Sequence, residues 1–212
     1  MKITVYSTKG WAGKTPIACN FAFDHDFAVW TNEPYHIYDE LLPEEKFIAL
    51  DLNQAFPTIP DDIDIIFDLA GSLSASARSI SSAIEQSDWV IVPIYDEYKS
   101  ILAGLNTLAE VLHLNQNVIV VATKLQKQRG DNFKDWFKCH SFLNIQNAVH
   151  EKIGEDIAVL PLKFSKAFDT MFDDRKSVIQ LMESSALAKY QYQDVAKQLQ
   201  ALYSLIFKKN EQ

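Results

Sequence analysis

Short β-branched apolar runs alternate along the chain with longer segments of helical spacing. The runs at 3–7, 27–31, 47–50, 63–68, 89–94, 118–123 and 157–160 predict strands. Between them, Ile101, Leu105, Leu108 and Leu112 recur at i, i+4, i+7 and i+11, the stripe of an amphipathic helix. The last segment, 190–207, places Val195, Leu199, Leu202 and Ile206 on one stripe and predicts a C-terminal helix packed on the body. The runs VIVPI and VIVVA are nearly continuous in apolar residues, as strands covered on both faces require. Strand and helix in alternation then predict a doubly wound α/β fold, a mainly parallel sheet with helices on both faces. A serine-rich stretch, 72–82, is interrupted at roughly helical intervals by Ala75, Ile80, Ala83 and Ile84, which favours a helix with a small polar face over a linker.

Composition narrows the class without naming a function. The chain has 212 residues, the size of one domain spanning 1–212. With 48% hydrophobic and 23% charged residues and only six Gly and seven Pro, it is neither collagen-like, mucin-like nor disordered. Cys19 and Cys139 form no CxxC pair, and Cys139-His140 with His150 lacks the spacing of a zinc site. Cys19 falls inside the first predicted helix, where packing is its expected role. The first residues enter a strand directly, and no apolar run approaches the ~18 residues of a membrane span, so a cytoplasmic protein is expected.

The chemistry lies after the first strand, in Ser7-Thr8-Lys9-Gly10-Trp11-Ala12-Gly13-Lys14-Thr15 followed by Pro16 and a helical pattern. A loop here aims consecutive backbone N–H groups at one spot, and a helix N-terminus adds its positive dipole end, which together suit phosphates. Gly13 lets the backbone approach an anion, Lys14 can reach the β- and γ-phosphates, and the Thr15 hydroxyl can ligate Mg²⁺. Pro16 costs little in the first helical turn, where its missing N–H would have had no partner. Asp68 closes an apolar strand and could hold a Mg²⁺-bound water opposite Thr15. Glu33 could orient an attacking water, or be an exposed turn residue.

The box Lys9-Gly10-Trp11-Ala12-Gly13-Lys14-Thr15-Pro16 resembles the deviant Walker A motif, KGGxGK[ST], of the ParA/MinD family of P-loop ATPases. Thr31-Asn32-Glu33-Pro34 stands where that family has D-x-D-P, 64–71 resembles its Walker B strand, and Ser87-Asp88 with 89–93 is similar to its SD-hydrophobic-P strand. The segments 159–168 and 176–178 are similar to the late region of short plasmid-type ParA proteins. The resemblance implies ATP and Mg²⁺ as ligands, with Lys9 through Pro16 around the phosphates. It also implies an ATP-sandwiched homodimer in which Lys9 reaches the partner's phosphates, slow hydrolysis using Lys9, Lys14, Glu33 and Asp68, and a ParB-like or other adaptor partner. Thr123, Lys124 and Leu162 stand where the family contacts adenine, and Thr123-Lys124-Leu125-Gln126 lacks the aspartate of a guanine-reading box. Three positions depart from the pattern: Trp11 for the second glycine of KGG, Thr31 for the first aspartate of D-x-D-P, and Pro16 for a hydroxyl residue. They keep open a nucleotide-gated scaffold that binds without turnover. A MinD-like membrane regulator is the other alternative, although the chain end at Phe207-Lys208-Lys209 lacks the dense basic face of a membrane anchor.

The net charge of −8 argues against a strong nucleic-acid binder, but it is unevenly spread. Residues 161–212 carry eight basic side chains (Lys163, Lys166, Arg175, Lys176, Lys189, Lys197, Lys208 and Lys209) against six acidic ones, which leaves −10 on the first 160 residues. The family resemblance implies non-specific DNA binding and a nucleoid-associated location. The charge limits that binding to weak contacts summed over a dimer.

Overall fold

The computed structural model describes residues 1–71, 77–132 and 134–208. Seven strands form one sheet: β1 (Lys2–Val5), β2 (Ala28–Thr31), β3 (Phe47–Ala49), β4 (Ile65–Asp68), β5 (Trp89–Tyr95), β6 (Val118–Leu125) and β7 (Ala158–Lys163). They run in the order β3-β2-β4-β1-β5-β6-β7, with every neighbouring pair parallel. Each strand overlaps a run expected from the sequence, and the α/β fold expected there is the one observed.

Period-2 alternation divides the core between the two faces. Ile3 and Val5 of β1, Ile66 of β4, Ile91 of β5 and Val121 of β6 face one way, onto α1 (Lys14–His25), α6 (Ala167–Asp174), α7 (Val178–Glu183) and α8 (Ala186–Lys208). Tyr6, Ile65, Phe67, Val90, Val92 and Val120 face the other way, onto α3 (Arg78–Glu85), α4 (Tyr98–Val111) and α5 (His140–Lys152). Because both faces are covered, the central strands read as unbroken apolar runs. The C-terminal helix starts four residues earlier than its stripe suggested, and Val195, Leu199, Leu202 and Ile206 are buried as that stripe requires. Of the serine-rich stretch, 78–82 opens α3, and 72–76 lie outside the described residues.

Local chemistry explains the ends that matter. Helix α1 starts at Gly13, whose φ of 95° no L residue adopts without strain, and stops at Asp26 in the left-handed region. Helix α7 opens on a capping box, Ser177 and Gln180 each satisfying the other's backbone N–H. The strand order reverses around β1, which is followed in sequence by β2 on one side and flanked by β5 on the other. That reversal opens a crevice at the carboxyl ends of β1, β4 and β5, where parallel sheets bind ligands.

Candidate functional site

A cavity of about 770 Å³ lies over that crevice and brings together residues from six segments of the chain. Its floor is the loop between β1 and α1. The N-cap Gly13 makes no side-chain cap, and α1 has no acidic residue in its first turn, so the N–H groups there are left for an anion. The loop is held from two sides. Thr8 Oγ1 lies 2.9 Å from Thr107 Oγ1 of α4, and Thr123 Oγ1 of β6 donates to the Ala12 carbonyl at 2.8 Å. Trp11, where the family motif has glycine, sits at φ 63° with its indole 89% exposed at the cavity rim.

The charged groups converge on Asp68, at the end of β4. Thr15 Oγ1 donates to Asp68 Oδ2 at 2.8 Å, and the buried Tyr38 hydroxyl donates to the same oxygen at 2.6 Å. Asp68 Oδ1 is buried with no hydrogen-bond partner. Burial pushes the Asp68 carboxyl above the usual carboxylate range, opposed by the Tyr38 hydroxyl, the Lys14 ammonium and the Thr15 hydroxyl. Among the described residues, no cluster of three or more His, Cys, Asp or Glu side chains could hold a metal. One hydroxyl and one carboxylate with an orphaned oxygen nevertheless fit Mg²⁺, which keeps waters and takes phosphate oxygens rather than an all-protein cage.

Glu33 follows β2, and its Oε1 lies 3.4 Å from Lys14 Nζ, so the proposed water-orienting carboxylate pairs with the phosphate-loop lysine. Thr31, which stands where the family has the first aspartate of its box, ties the box to β4: its hydroxyl donates to the Asp68 carbonyl at 2.7 Å and accepts the Glu33 N–H at 3.0 Å. A carboxylate at this position could accept from Glu33 but could not donate to that carbonyl. Asn32 braces the same turn, accepting Ala70 N–H at 2.6 Å and donating to Ser79 Oγ at 2.8 Å. Pro16 lines the cavity as the third residue of α1, and its carbonyl accepts from Asn20.

The far end of the cavity, over β6 and β7, carries the residues expected near a base. Thr123 and Leu162 are buried in its wall, and Lys124 has its ammonium 4.9 Å from the Tyr95 ring centroid. Phe168 and Phe172, one turn apart on α6, and Phe164 complete this apolar end, which the sequence pattern did not single out. Tyr38 also carried no signal, being one tyrosine in an irregular segment. Lys9 turns away from the cavity floor toward Glu97, its Nζ 3.8 Å from Oε2.

The basic residues of the last quarter are dispersed. Lys166 and Arg175 are exposed at the two ends of α6, Lys176 in the connection to α7, and Lys189, Lys197 and Lys208 along α8, whereas Lys163 is half-buried in the cavity wall. Lys209 lies outside the described residues. No helix among the described residues is long and apolar enough to cross a membrane.

No protein-family model and no curated protein matches the sequence. Solved structures do. The ATP complex of a McdA variant from Cyanothece aligns at TM-score 0.62 and 14% identity, covering 98% of this chain and 96% of that one. MinD, a cell division protein of Aquifex aeolicus, aligns at TM-score 0.57 and 12% identity over 95% and 96%. A plasmid partition protein of Borrelia burgdorferi bound to AMPPNP aligns at TM-score 0.53 and 14% identity over 98% of both chains. At such identity the likeness is one of fold, and the fold is that of the ParA/MinD-type P-loop ATPases.

Proposed function

We propose that this chain is a ParA/MinD-type ATPase that binds ATP with Mg²⁺ and positions a DNA or other cargo. The observation that carries this reading is the convergence of Thr15 and Asp68, 2.8 Å apart, beside Lys14 at the uncapped N-terminus of α1. The loop N–H groups and Lys14 take the phosphates, and Lys14 balances charge as it builds on the transferred group. When bound, Mg²⁺ supplies Lewis-acid polarisation of the phosphate oxygens. Thr15 and Asp68 would hold it, Asp68 through a bound water. Glu33, released from Lys14, orients the attacking water within hydrogen-bond reach.

The finer parts of the reading are an ATP-sandwiched homodimer joined through Lys9, stimulation by a ParB-like or other adaptor, and weak salt-sensitive DNA contacts from the exposed basic residues that flank α6 and lie on α8. What supports them is the fold and the likeness of the loop to the family motif at every position but Trp11 and Pro16. The nucleotide-gated scaffold retains one specific observation in its favour, the Lys14–Glu33 pair that withholds the carboxylate. Phosphate release with DNA present decides between the two. Turnover lost in Glu33→Ala and Asp68→Ala supports the ATPase, and nucleotide binding without turnover in the wild type supports the scaffold. A membrane-anchoring α8 is disfavoured, because its apolar stripe already packs against the sheet.

A further inference from the structure

We propose that Tyr38 is a positioning residue that reserves one oxygen of Asp68 for the metal-bound water. The inference rests on the assignment of Asp68 made above. Tyr38 opens the short helix α2 (Tyr38–Leu41), five residues beyond Glu33, and is fully buried with its ring in the core beside α1. A ring in that setting needs no hydroxyl, and a buried hydroxyl requires a partner. The Tyr38 hydroxyl finds it in Asp68 Oδ2, at 2.6 Å, and Thr15 donates to the same oxygen at 2.8 Å. A carboxylate oxygen offers two lone-pair sites, so both sites on Oδ2 are taken.

Rotation about the Cβ–Cγ bond is otherwise soft for aspartate. Here two donors from separate segments, α1 and α2, grip one oxygen, and a turn of the carboxylate breaks both bonds. Oδ1, buried and without a partner, is therefore the oxygen left to accept from a water on Mg²⁺. The same contact ties α2 to β4. The segment that carries Glu33 is thus pinned at its start by Thr31 and at its end by Tyr38. Groups that orient a metal-binding carboxylate typically account for about 10–100-fold in metal affinity.

The test is fluorescence titration of a labelled ATP analogue against the full chain, first in EDTA and then across a Mg²⁺ series. Tyr38→Phe keeps the ring. Tyr38→Met, a flexible filler of the same space, is the second variant. Both are expected to bind the analogue in EDTA as the wild type does, while the Mg²⁺ concentration at half-effect rises about ten-fold or more. A half-effect concentration equal to wild type in either folded variant, with Asp68→Ala shifted, overturns the role of Tyr38 alone. If Asp68→Ala also leaves the Mg²⁺ dependence unchanged, the assignment of Asp68 falls and this inference with it.

Discussion

Lys14 Nζ lies 3.4 Å from Glu33 Oε1, so the lysine that would meet the phosphates is neutralised by the carboxylate proposed to orient water. The Lys14 side chain is 7% exposed and that of Glu33 28%, which makes this pair less screened than a surface ion pair. Incoming phosphates must replace Glu33 at Lys14, and in doing so free it. Glu33→Gln removes the competing charge. It is expected to tighten ATP binding about two- to five-fold, the range of an ion pair of this kind, while lowering turnover at least about a hundred-fold. Equilibrium binding and steady-state phosphate release, measured on the same preparation, separate the two effects. Weaker binding with normal turnover would contradict this role for Glu33.

Trp11 holds a left-handed backbone at φ 63° with an indole that is 89% exposed, so strain is present and packing offsets little of it. A left-handed residue with a Cβ costs about 1–2 kcal/mol, and glycine returns roughly half of that through the freedom of its unfolded chain. Trp11→Gly is therefore expected to stabilise the nucleotide-free protein by about 0.5–1 kcal/mol in urea unfolding. A loss of stability would show that the indole packs on the body.

Gly71 supports the phosphate loop without belonging to it. A Cβ there would stand 3.2 Å from the carbonyl oxygens of both Ser7 and Thr8. Both are backbone atoms at the mouth of the loop, so the loop must shift to relieve the contact. Gly71→Ala is expected to weaken nucleotide binding about ten-fold, with a cost in stability of only about 1–2 kcal/mol. Isothermal titration checks the first quantity and thermal unfolding the second. Unchanged affinity would mean that the loop gives way at no functional cost.

Tyr203 on α8 donates to Asp24 Oδ2 on α1 at 2.8 Å, and burial raises the Asp24 carboxyl above its usual 3.8. As pH climbs from 3.8 toward the raised value, the unfolded chain releases this proton first. The native state then binds more protons than the unfolded state, and stability falls with rising pH. Asp24→Asn does not titrate and keeps an oxygen for Tyr203. The stability of the variant relative to wild type should therefore grow between pH 4 and neutrality, measured by urea unfolding. A difference independent of pH would contradict the shift.

The strands and the phosphate loop were legible because their signals are local. VIVPI and VIVVA are apolar throughout since β5 and β6 lie between two layers, and GKT between a strand and a helix has few other readings. Thr31 was legible only as a missing carboxylate, because the hydrogen bond its hydroxyl donates joins β2 to the end of β4, 37 residues away. Tyr38 was not legible at all: its partner is 30 residues distant, and α2 is too short to show a period. Phe168 and Phe172 carried no signal of a site in the sequence, because only the closing of β7 beside β6 places them at the cavity wall.

Lys14, Thr15 and Asp68 are proposed to form one site for ATP with Mg²⁺. Calorimetric titration of ATP in the presence of Mg²⁺, into wild type and Lys14→Ala, tests it most directly. Saturable one-to-one binding to the wild type is expected, with at least a ten-fold weaker affinity for the variant, about the worth of a charged contact to phosphate. Absence of binding to folded wild type, or equal affinity for the two proteins, would contradict it.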